Sequence, residues 1–285
     1  MRTGSRRRWL MLVAVLGALA LTLAACGSED EGDDGAPSGG GPEEPQFETL
    51  EEGILQVGSC LDYRPFEYFE RGSEEPTGFD VELTEAIAQE LGLEVEWVRA
   101  DFDTIFTAVD AGQFDMVAAA STITDERLQT VDFSDPYYNA RQALTVQSGG
   151  PASTDDLGDG DTVGVQKGTT GADWAKDNLA PNGVTVRTFT TVTDAFTNLE
   201  GGQIDGIIND EPSSAAEIEN RPGLELVESI DTDENYGFAF SKDNPDLTIA
   251  VNDALGAVIE DGTYQQIFEK YFPGTDLPEE FAPSE

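Results

Sequence analysis

Two stretches of this sequence decide its fold class, Ala111-Gly-Gln-Phe-Asp-Met-Val117 and Glu200-Gly-Gly-Gln-Ile-Asp-Gly-Ile207. In both, a helical pattern ends at glycine, and then a glutamine, an apolar residue and an aspartate lead into a short apolar run. Glycine commonly terminates a helix, and a short apolar run is typical of a buried strand. The repeated pattern indicates equivalent positions in two similar lobes.

Outward from these stretches, short apolar runs alternate with amphipathic runs. The predicted strands are 54–58, 93–98, 115–118, 142–147, 162–165, 184–187, 204–208 and 236–240. The predicted helices are 80–91, 104–111, 124–128, 169–177, 192–199, 212–219, 245–260 and 263–271. This alternation predicts an α/β fold of two lobes with mainly parallel sheets. Because such sheets bind ligands at the carboxyl ends of their strands, we expect a site in the cleft between the lobes.

The composition excludes several classes of function. The chain has 285 residues, with 15 Lys and Arg against 57 Asp and Glu, no histidine and two cysteines, and a net charge of -42. Such an excess of negative charge repels nucleic acid. The absence of histidine excludes a Ser-His-Asp triad and any histidine-ligated metal. We therefore expect no nucleic-acid partner, no metal and no cofactor.

Two explanations of the acidity stay open. One is a site for a cationic ligand, and the other is a surface that keeps the protein soluble in high salt, where screening weakens the repulsion between carboxylates. The second explanation needs no special site. The hydrophobic share of 39% is sufficient for a folded core beneath either kind of surface.

The N-terminus has the pattern of an export signal. Residues 1–8 are basic, residues 9–23 form an apolar run, and Leu23-Ala-Ala-Cys26 follows. These four residues resemble the lipobox of bacterial lipoproteins, which implies cleavage before Cys26 and lipidation of its thiol; the alternative is an ordinary secreted protein. We predict a signal peptide at 1–25, an acidic tether rich in Gly, Pro and Ser at 26–48, and a lipid-anchored protein outside the cytoplasm. The sequence leaves the export route open between the Sec and twin-arginine systems.

Several motifs in a fixed order carry a more specific resemblance. They are Tyr63-Arg-Pro-Phe-Glu-Tyr68, Gly78-Phe-Asp-Val-Glu-Leu83, Thr122-Ile-Thr-Asp-Glu-Arg127, Val131-Asp-Phe-Ser-Asp-Pro-Tyr-Tyr138, Val163-Gly-Val-Gln-Lys-Gly-Thr-Thr-Gly171 and Tyr236-Gly-Phe238. Together they resemble the extracellular solute-binding proteins of family 3, which serve amino-acid ABC importers. The resemblance extends over residues 53–272.

The resemblance implies a periplasmic-binding-protein type II fold, in which two α/β lobes close on a ligand like a Venus flytrap. The first lobe is then discontinuous, formed by residues 49–137 and 239–280, and the second is formed by residues 138–238. Hinge segments are expected near 137–141 and 234–238, and residues 281–285 are expected to be a tail.

The resemblance also implies a function. The chain is expected to be a monomeric binding protein without enzymatic activity, which captures a polar L-amino acid and delivers it to a membrane permease with its ATPase. The alternatives are a dehydratase acting on cyclohexadienyl amino acids such as arogenate, on the same fold, and a ligand sensor.

Five positions are assigned to the carboxylate and ammonium groups of an amino-acid ligand. Arg127 matches the arginine that binds the carboxylate, because a planar guanidinium donates to both carboxylate oxygens. Thr122 is expected to add its hydroxyl and N–H, and Ala120 a backbone carbonyl for the ammonium. Thr169 and Thr170 open a helix whose free N–H groups favour a carboxylate.

The remaining predicted site residues concern the ammonium and side chain of the ligand. Asp210 matches the acid that binds the ammonium, and Tyr63 and Phe102 match aromatic residues that flank the side chain. Cys60 is assigned to the side-chain pocket, at a place where some binders of basic amino acids carry aspartate. Since Asp62 and Glu67 are only nearby candidates for the lost acid, the predicted ligand is a polar amino acid, with a basic one as a weaker preference.

Overall fold

The computed structural model describes residues 47–284. The predicted signal peptide, the lipidated Cys26 and nearly all of the tether lie outside these residues. Within 47–284, no helix combines the length and apolar character that crossing a membrane would require.

The chain alternates between strands and helices. The strands are β1 Ile54–Ser59, β2 Tyr68–Phe69, β3 Pro76–Thr77, β4 Glu94–Arg99, β5 Met116–Val117, β6 Val131–Phe133, β7 Tyr138–Gln147, β8 Thr162–Gln166, β9 Thr185–Phe189, β10 Gly206–Asp210, β11 Leu224–Tyr236 and β12 Ala239–Ser241. The helices are α1 Phe79–Leu91, α2 Phe102–Asp110, α3 Thr170–Asn178, α4 Val192–Glu200, α5 Glu211–Ile218, α6 Pro245–Glu260 and α7 Thr263–Tyr271. The helix predicted at 124–128 is instead a short 3₁₀ turn, Arg127–Gln129.

Two five-stranded sheets organise these elements. The first has the order β4-β1-β5-β12-β6, and the second has the order β11-β7-β10-β8-β9. We call the part around the first sheet the first lobe and the part around the second sheet the second lobe. The two predicted α/β lobes are therefore confirmed.

The two lobes share one strand order. In the first sheet β5 lies between the parallel strand β1 and the antiparallel strand β12. In the second sheet β10 lies between the parallel strand β8 and the antiparallel strand β7. The repeated sequence pattern leads into β5 and β10, so its two copies do occupy equivalent positions.

The sheets are mixed, which corrects the expectation of mainly parallel sheets. In the first sheet β12 runs antiparallel to β5 and β6, and in the second β7 runs antiparallel to β10 and β11. The reason is that β7 and β12 follow extended segments that pass between the lobes, and neither strand follows a helical crossover of the kind that joins parallel neighbours.

The chain passes between the lobes twice, at residues 134–137 and at residues 237–238. The strand predicted at 236–240 is therefore divided, because Gly237 and Phe238 belong to the second crossing. Aromatic rings hold the crossings together: Tyr137 stacks on Phe238 at 4.4 Å and Tyr138 on Tyr236 at 5.6 Å between centroids. Each such pair contributes roughly 0.5–1.5 kcal/mol beyond its buried area.

The longest strand, β11, was not predicted from the sequence. Its register against β7 shifts between Leu226 and Glu228 and again between Ile230 and Glu234. Such bulges break the alternation of apolar and polar residues on which strand prediction depends. The alternation is visible only over residues 224–226, where Glu225 separates two leucines.

The C-terminal segment lies against the crossings. The ring of Phe281 is buried and lies 5.4 Å from that of Tyr264, whose hydroxyl donates to the carbonyl of Tyr137 at 2.6 Å. Asn139 donates to the carboxylate of Glu280 at 3.1 Å. The residues just before the C-terminus therefore contact the junction of the two lobes.

Candidate functional site

A cavity of about 310 Å³ lies between the two lobes. Its lining consists of Cys60, Tyr63, Glu67, Phe102, Ala119, Ala120, Thr122, Arg127, Gln166, Thr169, Thr170 and Asp210. All nine residues that the sequence predicts for ligand contact are in this set. The structure therefore brings them together in one place, and their individual roles stay predictions.

Strand ends position this lining. The chain leaves β1 at Cys60 and leaves β5 toward Ala120 in the first lobe; in the second lobe it leaves β8 at Gln166, and Asp210 ends β10. These are the carboxyl ends of the strands, where α/β sheets bind ligands. The equivalence of the two sheets thus places matching loops on opposite sides of one cleft.

Arg127 connects the lobes at one end of the cavity. One guanidinium nitrogen, Nη1, donates to the carbonyl of Thr122 at 2.6 Å, and Nη2 donates to the carbonyl of Gly168 in the second lobe at 3.1 Å. Its guanidinium carbon lies 4.6 Å from the centre of the Phe106 ring and 5.3 Å from that of Phe102. Burial lowers the pKa of Arg127, an effect that the negative charge of Asp210 opposes.

The two threonines at the start of α3 have different partners. The hydroxyl of Thr169 accepts from the N–H of Ala172 at 3.1 Å and caps the helix. The hydroxyl of Thr170 donates to Oε2 of Glu234 at 2.7 Å. The first N–H groups of a helix have no partner within it, so this end of α3 presents backbone donors to an anion.

Thr122 differs from expectation in one respect. Its hydroxyl, predicted as a ligand donor, donates instead to Oε2 of Glu234 at 2.6 Å. A hydroxyl can donate only one hydrogen bond, and that of Thr122 goes to a protein carboxylate. It is therefore not available to the ligand. The backbone N–H of Thr122 is the remaining candidate donor at this position.

Asp210 also lines the cavity and accepts three hydrogen bonds. Tyr63 and Tyr236 donate to Oδ2 at 2.7 and 2.5 Å, and Gln142 donates to Oδ1 at 2.5 Å. Burial raises the pKa of Asp210 to about 6, and the charge of Glu234 adds to this increase. Tyr63 belongs to the first lobe, so its bond to Asp210 crosses the cleft.

Ala120 adopts an unusual backbone conformation, with φ at +44°. Its N–H donates to Oδ2 of Asp80 at 2.8 Å, and the hydroxyl of Tyr137 donates to the same oxygen at 2.8 Å. Asp80 is fully buried, and burial raises its pKa to about 7. This carboxyl group thereby ties the loop that carries Ala120 and Thr122 to the first crossing between the lobes.

Glu67 was one of two candidates from the sequence for the acid of the side-chain pocket, and the sequence did not show whether it faces the cleft. It is fully buried and lines the cavity, and within residues 47–284 neither carboxylate oxygen has a hydrogen-bond partner. Burial raises its pKa well above the usual range, and the charges of Asp80 and Asp62 add to this. Asp62, the other candidate, is not part of the lining and has a carboxylate oxygen 3.9 Å from Arg99.

Cys60 lies in the same lining and is 7% exposed. Burial raises the pKa of its thiol, and the charge of Glu67 adds to this, so it is present as the neutral thiol. Two further residues of the site, Gln142 and Glu234, carried no motif that the sequence analysis used. Nowhere in residues 47–284 do three or more metal-binding side chains cluster.

A sequence model of the "Bacterial extracellular solute-binding proteins, family 3" matches residues 55–274. A probable histidine-binding protein of Neisseria gonorrhoeae is 34% identical over 271 residues, which is 93% of this chain and 96% of the relative. The chain therefore belongs to family 3 of the solute-binding proteins, which confirms the resemblance inferred from its motifs.

Solved structures give the same result. An ancestral arginine-binding protein bound to arginine has a TM-score of 0.74 and 38% identity, covering 77% of this chain and 98% of that one. The ancestral amino acid-binding protein AncCDT-1, a precursor of cyclohexadienyl dehydratase, has a TM-score of 0.72 and 38% identity, covering 77% and 96%. These neighbours confirm the type II fold.

Replacing Asp80 by asparagine tests the buried carboxyl group. Its pKa of about 7 in the folded protein exceeds the value of about 4 in an unfolded chain. The folded state then binds the proton more tightly, so this group lowers the free energy of unfolding progressively as pH rises from about 4 to 7. We expect the wild type to lose stability relative to Asp80→Asn between about pH 4 and about pH 7, and little more above that. Melting temperatures of both proteins at each pH measure this, and a constant difference would contradict it.

Proposed function

We propose that this chain is the substrate-binding component of an amino-acid ABC importer, which captures an L-amino acid with a cationic side chain between its lobes. The observation that carries this proposal is the set of three ionisable side chains in the cavity lining. Arg127 is a cation, Asp210 is the carboxylate that accepts three hydrogen bonds, and Glu67 is a second carboxyl group, which has no hydrogen-bond partner within residues 47–284.

The first two charges suit the backbone of an amino acid. The carboxylate binds Arg127 and the N–H groups at the start of α3, and the ammonium binds Asp210. A carboxylate is a stronger acceptor than the two carbonyls to which Arg127 now donates. Because both lobes contribute donors, the ligand stabilises the closed form, which is the form that a permease would recognise.

The third charge supports a cationic side chain. A neutral zwitterion pairs with Arg127 and Asp210 and leaves the buried carboxyl group of Glu67 without a partner, which is unfavourable. A ligand with one more positive charge favours the ionised form of Glu67 and pairs with it. Tyr63 and Phe102 bury the methylene groups of such a side chain and attract its cation. Glu67 therefore supplies the acid that Cys60 does not, and supports the basic ligand over a neutral polar one.

The cellular setting is part of the same proposal. Lipidation of Cys26 would hold the protein on the outer face of the cell membrane, with residues 26–48 as the tether. The bound monomer would then dock on a membrane permease, whose separate ATPase drives import. No step of this function requires a cofactor or a metal.

One observation favours an enzyme as the second candidate. Burial raises the pKa of Glu67 well above its usual range, which favours the protonated form, and a protonated carboxyl group in a cleft is a candidate general acid. A dehydratase acting on arogenate or prephenate would use such a group. Turnover of either compound by the purified protein would support this alternative, and a ligand sensor would differ from a transport receptor in its partner protein.

Calorimetric titration with the twenty common L-amino acids tests the proposed function. We expect arginine, or another amino acid with a cationic side chain, to bind more tightly than every neutral or acidic one. The protein must be shown to be folded by its melting transition. Folded protein that binds none of them would refute the proposal, and preferential binding of glutamine or glutamate would refute the cationic ligand.

Replacing Arg127 by alanine tests the carboxylate anchor. Loss of a buried charge partner typically costs about 2–5 kcal/mol of binding free energy, so we expect affinity to fall by at least about 30-fold with little change in melting temperature. Arg187→Ala is the matched control, because Arg187 is exposed and lies outside the cavity. Retained affinity in Arg127→Ala would exclude the assigned role.

Replacing Glu67 by glutamine tests the side-chain subsite. We expect arginine affinity to fall by at least about 30-fold, since the ligand cation would be buried without a counter-charge. In the wild type, Glu67 must release its proton when the cation binds, because its pKa is raised in the absence of that cation. Arginine affinity should therefore rise with pH across the neutral range, and this rise should be smaller in Glu67→Gln.

Calorimetry in buffers of different ionisation enthalpy measures the released proton directly. Glu70→Gln is the matched control, because Glu70 is exposed and paired with Arg64 at 3.3 Å. If Glu67→Gln and Glu70→Gln bind arginine alike, Glu67 does not face the ligand cation.

A further inference from the structure

Behind the cavity, one carboxylate oxygen receives a hydroxyl from each lobe. Oε2 of Glu234 accepts from Thr122 of the first lobe at 2.6 Å and from Thr170 of the second at 2.7 Å. We propose that Glu234 is a positioning residue for the ligand's carboxylate: it fixes both threonines so that their backbone N–H groups, and not their hydroxyls, face the ligand. This inference rests on the proposed function, since it concerns the same site.

The backbone of β11 is irregular where it presents this side chain. Ile230 pairs with Gln142 of β7 and Glu234 pairs with Ala140, so three residues of β11 lie opposite one residue of β7. Asp233, within the bulge, has φ at +52°. A non-glycine residue in this conformation typically costs about 1 kcal/mol or more. Bulges of this kind redirect a side chain, and here the redirected side chain is Glu234.

The carboxylate of Glu234 is 8% exposed and accepts four hydrogen bonds. In addition to the two threonines at Oε2, Gln142 donates to Oε1 at 3.0 Å and Thr232 at 2.8 Å. Four donors match the accepting capacity of an ionised carboxylate. A charge buried with this many donors is held in a single orientation, as a positioning role requires.

The contacts of the two threonines determine what they can offer a ligand. The hydroxyl of Thr122 points to Glu234 and its carbonyl accepts from Arg127 at 2.6 Å, so both flanks of this residue are fixed. Thr170 is the first residue of α3, and its N–H has no partner within the helix. With the hydroxyls occupied, the donors left for a carboxylate are the backbone N–H groups and the guanidinium.

The same hydrogen-bond network extends to Asp210. Nε2 of Gln142 donates both to Oε1 of Glu234 and to Oδ1 of Asp210. A single amide group therefore separates the residue that positions the carboxylate donors from the residue assigned to the ammonium. Gln142 thus fixes the position of Glu234 relative to Asp210. This suits a ligand whose carboxylate and ammonium groups are attached to the same carbon atom.

A double-mutant cycle distinguishes positioning from direct contact. If the hydroxyl of Thr122 acts through Glu234, then Thr122→Val should lower arginine affinity in the wild-type background. The same substitution should cause little further loss of affinity in the Glu234→Ala background. We expect each single substitution to weaken arginine binding by roughly 10-fold, and the double substitution also by roughly 10-fold. If the hydroxyl binds the ligand directly, the effects multiply to roughly 100-fold, which would overturn the inference.

Conservative variants separate the hydroxyl from general packing. Thr122→Ser and Thr170→Ser retain the donor and should bind arginine within about threefold of the wild type. Glu225→Ala is the matched control on the same strand, because Glu225 is exposed, and it should leave affinity unchanged. Unchanged arginine affinity in Glu234→Ala would also overturn the inference. So would a loss of affinity in Thr122→Ser as large as that in Thr122→Val.

Folding and function are checked separately. Melting temperatures accompany every variant, and if Glu234→Ala does not fold, Glu234→Leu, which fills more of the space and has no acceptor, takes its place in the cycle, with the same non-additivity expected. Wild-type protein that binds no amino acid would refute the proposed function, and the positioning role with it. Wild-type protein that binds arginine while the cycle is additive would refute the positioning role alone.

Discussion

The burial of carboxyl groups at the junction of the lobes is the constraint on which the rest of this structure depends. A buried carboxylate is stable only with hydrogen-bond donors or a counter-charge. Glu234 accepts four hydrogen bonds, Asp210 three and Asp80 two, and their donors come from the cleft loops, the crossings and β7. Glu67 has none within residues 47–284. Glu234, Asp210 and Asp80 position the residues of the site through these hydrogen bonds. The carboxyl group of Glu67 is left for a ligand to pair with.

The aromatic residues of the crossings give this polar network a rigid support. Tyr137 and Tyr236 each stack on a ring from the other crossing and also donate their hydroxyls, Tyr137 to Asp80 and Tyr236 to Asp210. The same side chains therefore hold the two crossings together and orient the acids of the cleft. This arrangement couples the relative position of the lobes to the geometry of the site, as closure around a ligand requires.

Much of the fold could be predicted because its signals are local. The glycine-terminated helices and the repeated pattern before β5 and β10 indicate two equivalent lobes, and the structure brings all nine site residues predicted from the sequence into one cavity. The bulged strand β11 could not be predicted, since its register depends on β7. For the same reason Glu234 was missed: three of its four partners lie 64 to 112 residues away along the chain. Glu67 could be named but not oriented, because burial is a property of the folded cleft.

Cys60 gives the closed cleft a further consequence. It is the free cysteine within residues 47–284, it is 7% exposed, and its neutral thiol lies in the cavity lining between the lobes. A thiol reagent in solution can reach it only while the lobes are apart, and it reacts only through the small thiolate fraction present at that moment. The rate at which Cys60 is covalently labelled therefore reports how often the lobes separate. This measurement uses the native sequence and needs no engineered fluorophore.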